Sequence, residues 1–264
     1  MWTRATITCA TTALLLLAGL GVLAQARPAG ALELSVSPIQ VHLTPTQKSA
    51  LIRLGNPNAE AITVQATVFA WSQDEHGTDR LTPTSDLLAF PQMLLIKSGV
   101  ERNVRVGTTN PDRSVERTFR ILLEPVLTPK GAHADPTDNL RAAAATIITR
   151  SSVPIFVYPT KGVPAPLRVA GRIEQGAFLL QTTNPGTIHV SPPALTIKGY
   201  TAGSEFLFEH ETHAWYVLAG GTRTDRFPLP AAHCARLHRL VVEVRSGQQT
   251  ETVTVPVLPE SCQP

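Results

Sequence analysis

Apolar side chains in this sequence recur at every second residue, in runs that proline keeps short. The longest run, residues 141–159, sets Ala145, Ile147, Thr149, Ser151, Val153, Ile155 and Val157 on one parity and Ile148, Arg150, Pro154, Phe156 and Tyr158 on the other. A period of two marks a β-strand, whose successive side chains point to opposite faces. The C-terminal half of the run is apolar on both faces, as in a strand buried between two layers. The N-terminal half alternates small, apolar and polar residues and follows a Pro-, Asp- and Gly-rich loop over residues 128–139. That half reads as a strand able to pair with a second chain. In such pairing the backbone hydrogen bonds supply affinity, and alternate side chains entering pockets supply specificity.

The rest of the chain repeats the pattern. With 22 prolines among 264 residues, and Val, Ile and Thr concentrated in the alternating runs, the composition predicts an all-β protein. Leu34 and Val36 share one parity and Ile39, Val41 and Leu43 the other, so the first strand kinks at Pro38 and changes sheets. Further strands are predicted over residues 49–54, 62–71, 93–97, 103–106 and 118–126, with a loop or edge hairpin over 72–86. Seven strands with turn signals between them fit an immunoglobulin-like sandwich over residues 32–160. A connector stiffened by Pro164 and Pro166 leads into a second, smaller β-sandwich over residues 163–264. Its strands are expected at 167–173, 178–182, 195–198, 214–218, 240–244 and 252–257, with a turn at Asn184-Pro185-Gly186.

Arg4, an apolar run over residues 10–24 and an Ala-Gln-Ala triplet ending at Ala26 have the layout of a secretory signal, residues 1–26, with cleavage after Ala31 as the alternative. The run is shorter than the roughly 18 to 20 residues that a membrane-spanning helix needs. An exported protein without membrane insertion follows. Cys9 leaves with the signal, so Cys234 and Cys262 remain, and in an oxidising compartment such a pair is most simply a disulfide. The formal net charge of +3 is too small for a nucleic-acid binder.

No catalytic or cofactor signature is present. His210 and His213 stand three apart, whereas the zinc-protease motif needs histidines four apart on a helix. No Gly-x-Ser-x-Gly elbow and no phosphate loop occur, so neither an enzyme, a metal nor a cofactor is expected. Arginines on predicted strands are more informative. Arg105, Arg120 and Arg150 are candidates to hold a carboxylate through charge-assisted hydrogen bonds.

Leu34-Ser-Val-Ser-Pro-Ile-Gln-Val-His-Leu43, Leu54-Gly-Asn-Pro57, Val68-Phe-Ala-Trp-Ser-Gln73, Arg102-Asn-Val-Arg-Val106, Phe119-Arg-Ile-Leu-Leu-Glu-Pro125 and Ser152-Val-Pro-Ile-Phe-Val-Tyr-Pro159 together resemble the PapD-like periplasmic chaperones of chaperone-usher pili, most of all their archaic branch. The resemblance implies two immunoglobulin-like domains in a boomerang. It also implies a donor strand, with Ala145, Ile147 and Thr149 filling the open groove of a pilin-like subunit that is then delivered to an outer-membrane usher. Self-association when no client is bound stays open. In the better-known branch two basic residues grip the subunit's terminal carboxylate, but their positions here hold Gln40 and Pro154, so the anchor is absent or has moved, with Arg105 or Arg150, together with Arg120, as the candidates to replace it. Glu124 matches an acidic residue of an interdomain salt bridge whose usual partner aligns with Tyr158, so the bridge either uses a different residue, such as Arg168, or is missing. An exported pilus subunit or adhesin of β-sandwich fold is the alternative. Two complete sandwiches and a long internal donor strand favour the chaperone.

Overall fold

The computed structural model describes residues 32–74, 76–108, 114–126, 149–258 and 261. Residues 34–128 and 150–264 form one compact unit, which holds everything described below. The protein is nearly all β: two sandwiches, each of two sheets.

In the first sandwich one sheet has the order β1 (Ser35–Ser37), β3 (Ser49–Gly55), β8 (Glu101–Thr108), β6 (Leu87–Phe90). The other runs β2 (Val41–Leu43), β10 (Ser151–Val157), β9 (Arg117–Val126), β4 (Ile62–Gln73), β5 (Asp79–Pro83), and β7 (Met93–Ile96) also pairs with β4. The chain changes sheets at Pro38 as the parity predicts, because β1 pairs antiparallel with β3 while β2 lies parallel to β10. Proline interrupts the ladder there, and Val41 and Leu43 turn into the core at 2% and 0% exposure. The polar stretch after β4 is an edge hairpin, with Gln73 opposite Asp79.

In the second sandwich β11 (Arg168–Glu174), β12 (Ala177–Thr183) and β15 (Thr222–Pro228) form one sheet. The other is β14 (Phe206–His213), β13 (Ala194–Tyr200), β16 (Arg239–Ser246), β17 (Gln249–Pro256). Phe178, Leu180, Leu195, Ile197, Leu240 and Val242 interdigitate between the sheets. One predicted strand is absent here and two strands were not predicted. Residues 214–218 carry a single bridge, Val190 to Val217, instead of a strand. Ala214, Val217 and Leu218 are buried, Leu218 against Trp71 and Phe156 of the first sandwich, while Tyr216 is half-buried and Trp215 exposed. Conversely β14 and β15 read as polar, since each is an edge strand with one wet face.

The two Asn-Pro turns are built alike. Asn56 is buried and its Nδ2 donates to the carbonyls of Glu60 at 2.8 Å and Ile96 at 3.0 Å. Asn184, fully buried, donates to those of Ile188, Val217 and Leu218 at 2.8, 3.1 and 3.2 Å. Each amide ties its turn to backbone carbonyls; those of Val217 and Leu218 also accept the N–H groups of Val190 and Gly221, both at 2.9 Å.

The described part of the long 141–159 run begins at Thr149. Every residue of β10 from Val153 onward is buried, which accounts for its apolar side chains on both faces. Val153 and Ile155 enter the sandwich core, and Phe156 points the opposite way.

Candidate functional site

On the sheet of β2, β10, β9, β4 and β5, the face turned away from the core is organised around Phe156. Thr118 stands opposite Phe156, and Arg120 stands opposite both Pro154 and, on the next strand, Phe69. Trp71 follows on β4. A face so rich in apolar and planar groups has to be covered, and the second sandwich covers it. The His189 ring lies on Phe156 at 3.5 Å between centroids and 11° between planes. Tyr216 packs edge-on against Trp71 at 5.6 Å, and Trp71, Phe156 and Leu218 form one buried cluster.

Polar groups lock this contact. Glu116, just before β9, accepts the backbone N–H of His189 at 2.7 Å and faces the His189 Nδ1 with both carboxylate oxygens at 2.9 Å. The side chains are 0% and 4% exposed, so a carboxylate with no competing water depends on this histidine. Gln73 bridges in both directions, its Nε2 donating to the Tyr216 carbonyl at 2.9 Å and its Oε1 accepting from Leu218 N–H at 3.2 Å. Around the rings, burial and the neighbouring His189 hold the His42 imidazole below its ordinary value, against an upward pull from Glu116. Burial, with Glu116 adding to it, pushes the Tyr158 phenol up.

Arg120 is the most confined of the expected arginines. Its side chain is 9% exposed, and its guanidinium lies 4.0 Å from the Trp71 ring and 5.4 Å from the Trp215 ring. Its polar contacts are long, with Nη1 3.4 Å from Ser152 Oγ and Nη2 3.5 Å from Asp79 Oδ2. Asp79 Oδ2 also accepts the Trp215 indole N–H at 3.1 Å. The Nε of Arg120 and the indole nitrogen of Trp71 are buried with no hydrogen-bond partner among the described residues. Burial lowers the pKa of Arg120, and Asp79 followed by Tyr216 opposes that shift.

The remaining expected residues are scattered. Arg105 is exposed on the other sheet of the first sandwich, where it donates to Ser49 Oγ at 3.2 Å. Arg150 pairs with Glu124 at 2.6 Å. Arg168, named as a candidate partner for Glu124, is not the residue paired with it here. The β9–β10 ladder sets Ser151 opposite Leu123, so the next residues outward, Arg150 and Glu124, meet within one sheet, and Arg168 is exposed on β11. Thr149 is exposed just before β10, whereas Ala145, Ile147 and the signal segment 1–26 lie outside the described residues. Cys234 is disulfide-bonded, and its expected partner Cys262 lies outside the described residues. His210 and His213 fall on β14, where an odd spacing sends them to opposite faces. Among the described residues no cluster of metal-ligating side chains occurs.

Glu116, His189, Trp71, Tyr216, Gln73, Asp79 and Trp215 were not among the expected site residues. The surplus apolar face of residues 153–158 was the signal that something covers this strand. Nothing in sequence spacing pointed to His189, which is 73 residues from its carboxylate.

Three comparisons place these observations. Residues 33–162 match the family described as pili and flagellar-assembly chaperone, PapD N-terminal domain. Comparison with curated proteins gives no match. Among solved structures, a chain from the CsuC–CsuE chaperone–tip adhesion subunit pre-assembly complex of archaic chaperone-usher Csu pili of Acinetobacter baumannii aligns with a TM-score of 0.54 at 20% identity, over 84% of this chain and 98% of that one. A chain from the Salmonella enterica SafA pilin–SafB chaperone complex gives 0.54 at 14% identity, over 87% and 98%. The class 5 fimbriae chaperone CfaA gives 0.52 at 10% identity, over 86% and 100%. These likenesses are of fold.

Proposed function

Because residues 33–162 belong to the PapD N-terminal domain family of pili and flagellar-assembly chaperones, we propose that this chain stabilises pilin-like subunits by donor-strand complementation and delivers them to an outer-membrane usher. The family match carries the reading, and it covers the strand that the mechanism requires. The donor segment is the run leading into β10, with Ala145, Ile147 and Thr149 entering the client's groove. An incomplete pilin exposes an unpaired strand edge over an open core, and strand addition removes both hazards. Because β10 is fixed between β2 and β9, a strand entering from its N-terminal side starts from a rigid base. The exchange uses backbone hydrogen bonds and apolar burial, so it calls for no cofactor.

In this reading the donor domain spans residues 32–160 and the second domain residues 163–264. Residues 1–26 direct export to the periplasm, and Cys234 pairs with Cys262. Among the described residues, no helix is long and apolar enough to cross a membrane. We assign the client's terminal carboxylate to Arg120. Gln40 and Pro154 occupy the family's two basic positions, and Arg120 stands directly across from Pro154 on the neighbouring strand. Its orphaned Nε and the orphaned Trp71 indole N–H give that spot more donors than acceptors. Arg150 is less suited, since Glu124 already occupies it, and Arg105 lies on the other sheet.

Native mass spectrometry of the tagged protein from the periplasm of its own host tests the reading. The expected result is a one-to-one complex with a small exported β-protein, lost on Ile147→Asp. A lone monomer under conditions where pili are made, unchanged by that substitution, would return the run to ordinary core.

A further inference from the structure

We infer that Asp79 is a resident competitor for the carboxylate site at Arg120, held in place by Trp215, and that this internal pairing sets how strongly the site takes an external carboxylate. The inference rests on the reading of Arg120 as the anchor.

The geometry is that of a loosely filled site. A guanidinium nine-tenths buried normally has short, charge-assisted hydrogen bonds of about 2.7 to 2.9 Å. Arg120 instead has contacts of 3.4 and 3.5 Å, while its Nε has none among the described residues. Trp71, 3% exposed and stacked with that guanidinium, adds a second buried N–H without an acceptor. Two unpartnered donors in one stacked pair call for an anion larger in reach than the single carboxylate oxygen supplied by Asp79. A free chain terminus has two oxygens and fits donors arranged around a planar cation.

Asp79 is not placed there by Arg120 alone. It begins β5, directly after a turn in which Asp74 Oδ1 accepts the N–H groups of His76 and Thr78, both at 2.9 Å. The second sandwich grips the same turn, since Arg223 Nη1 donates to the Gly77 carbonyl at 2.6 Å. Trp215 then takes the same Asp79 oxygen that faces Arg120. The carboxylate is thus delivered by its turn and fastened by an indole, with its side chain still 30% exposed. It can withdraw toward solvent without unfolding the hairpin. An entering carboxylate displaces it, and the Trp215 indole loses its acceptor in the same event. Anchor occupancy is thereby coupled to a contact between the two sandwiches.

Asp79→Asn removes the charge while its amide oxygen still accepts from Trp215, and its amide nitrogen replaces the Oδ1 that lies 3.3 Å from Gln73 Nε2. The probe is sodium acetate, titrated into the full mature chain at constant ionic strength against a chloride control and followed through the indole N–H signals of Trp71 and Trp215 by NMR. Both signals are expected to move saturably in the wild type. Asp79→Asn should tighten acetate by about tenfold, the gain if the resident carboxylate fills the site nine parts in ten of the time. Arg120→Ala, checked for retained fold by its remaining amide spectrum, should abolish the response. An acetate affinity unchanged or weakened by Asp79→Asn, or indole shifts that chloride reproduces, would overturn the inference. This readout needs no client. If Ile147→Asp breaks client capture while Asp79→Asn leaves acetate binding unchanged, the chaperone reading stands and the competitor falls. If the acetate results hold but client capture ignores Ile147, the competitor stands and the donor-strand reading falls.

Discussion

Replacing His189 with alanine should be among the most damaging single changes in the second sandwich. The substitution leaves the backbone N–H that Glu116 accepts at 2.7 Å but removes the imidazole that faces both carboxylate oxygens at 2.9 Å. It also strips Phe156, itself 0% exposed, of a ring stacked at 3.5 Å. Breaking a buried pair by deleting one partner costs about 3–5 kcal/mol, most of it the uncompensated charge left behind. For a chain of this size each kcal/mol lowers Tm by roughly 2–4 °C, so a fall on the order of 10 °C is expected by calorimetry. The charge argument makes a sharper claim about pairs. Glu116→Leu alone strands the histidine among rings, but Glu116→Leu combined with His189→Phe replaces a buried hydrogen-bonded pair by apolar volume, which is often neutral. The double variant should therefore be more stable than His189→Ala, and its loss smaller than the summed losses of Glu116→Leu and His189→Phe. Additive losses, or a His189→Ala cost below about 1 kcal/mol, would refute the idea that these groups depend on each other.

Two further outcomes follow from the same region. His42 titrates lower in the folded protein than the ordinary histidine value of 6.5, so the unfolded chain binds more protons between the two values. Stability contributed by neutral His42 is therefore present above about pH 6.5 and is lost as pH falls toward the folded value, and a Tm–pH profile should become flatter there in His42→Phe. Asn184→Ala removes three hydrogen bonds to buried carbonyls and the acceptor for Gly186 N–H, and should cost about 3 kcal/mol in urea unfolding.

Strands whose faces differ in polarity were legible in the sequence. Ile62, Val64 and Ala66 alternate with polar neighbours because one side of β4 is core, and Pro38 marked the change of sheet because proline cannot serve a ladder on both edges. Where burial came from elsewhere in the chain, the pattern misled. Residues 214–218 read as a strand because Tyr216 and Leu218 are apolar, yet they are apolar to cover Trp71 and Phe156. β15 went unseen because Arg223 and Asp225 satisfy each other at 2.7 Å within the strand, so a polar sequence sits in a half-buried place. The site was legible only on one side. The excess of apolar groups at residues 153–158 said that a cover exists, but the identity of the cover depends on contacts between residues far apart in sequence, which no local period encodes. For Glu124 the resemblance supplied a role, and strand register supplied the neighbour, Arg150.

The double burial of β10 also bears on how far this chain can be taken apart. Phe156 is sequestered as completely as any residue of either core, although half of its surroundings belong to a different sandwich. A fragment ending in the connector would present Phe156, Trp71 and the Glu116 carboxylate to water together, and the complementary fragment would present Tyr216, Leu218 and His189. Neither half is a self-sufficient module. Recombination between relatives at the connector would therefore have to exchange the ring-bearing surfaces on both sides in concert, so the two sandwiches are expected to be inherited as a single unit.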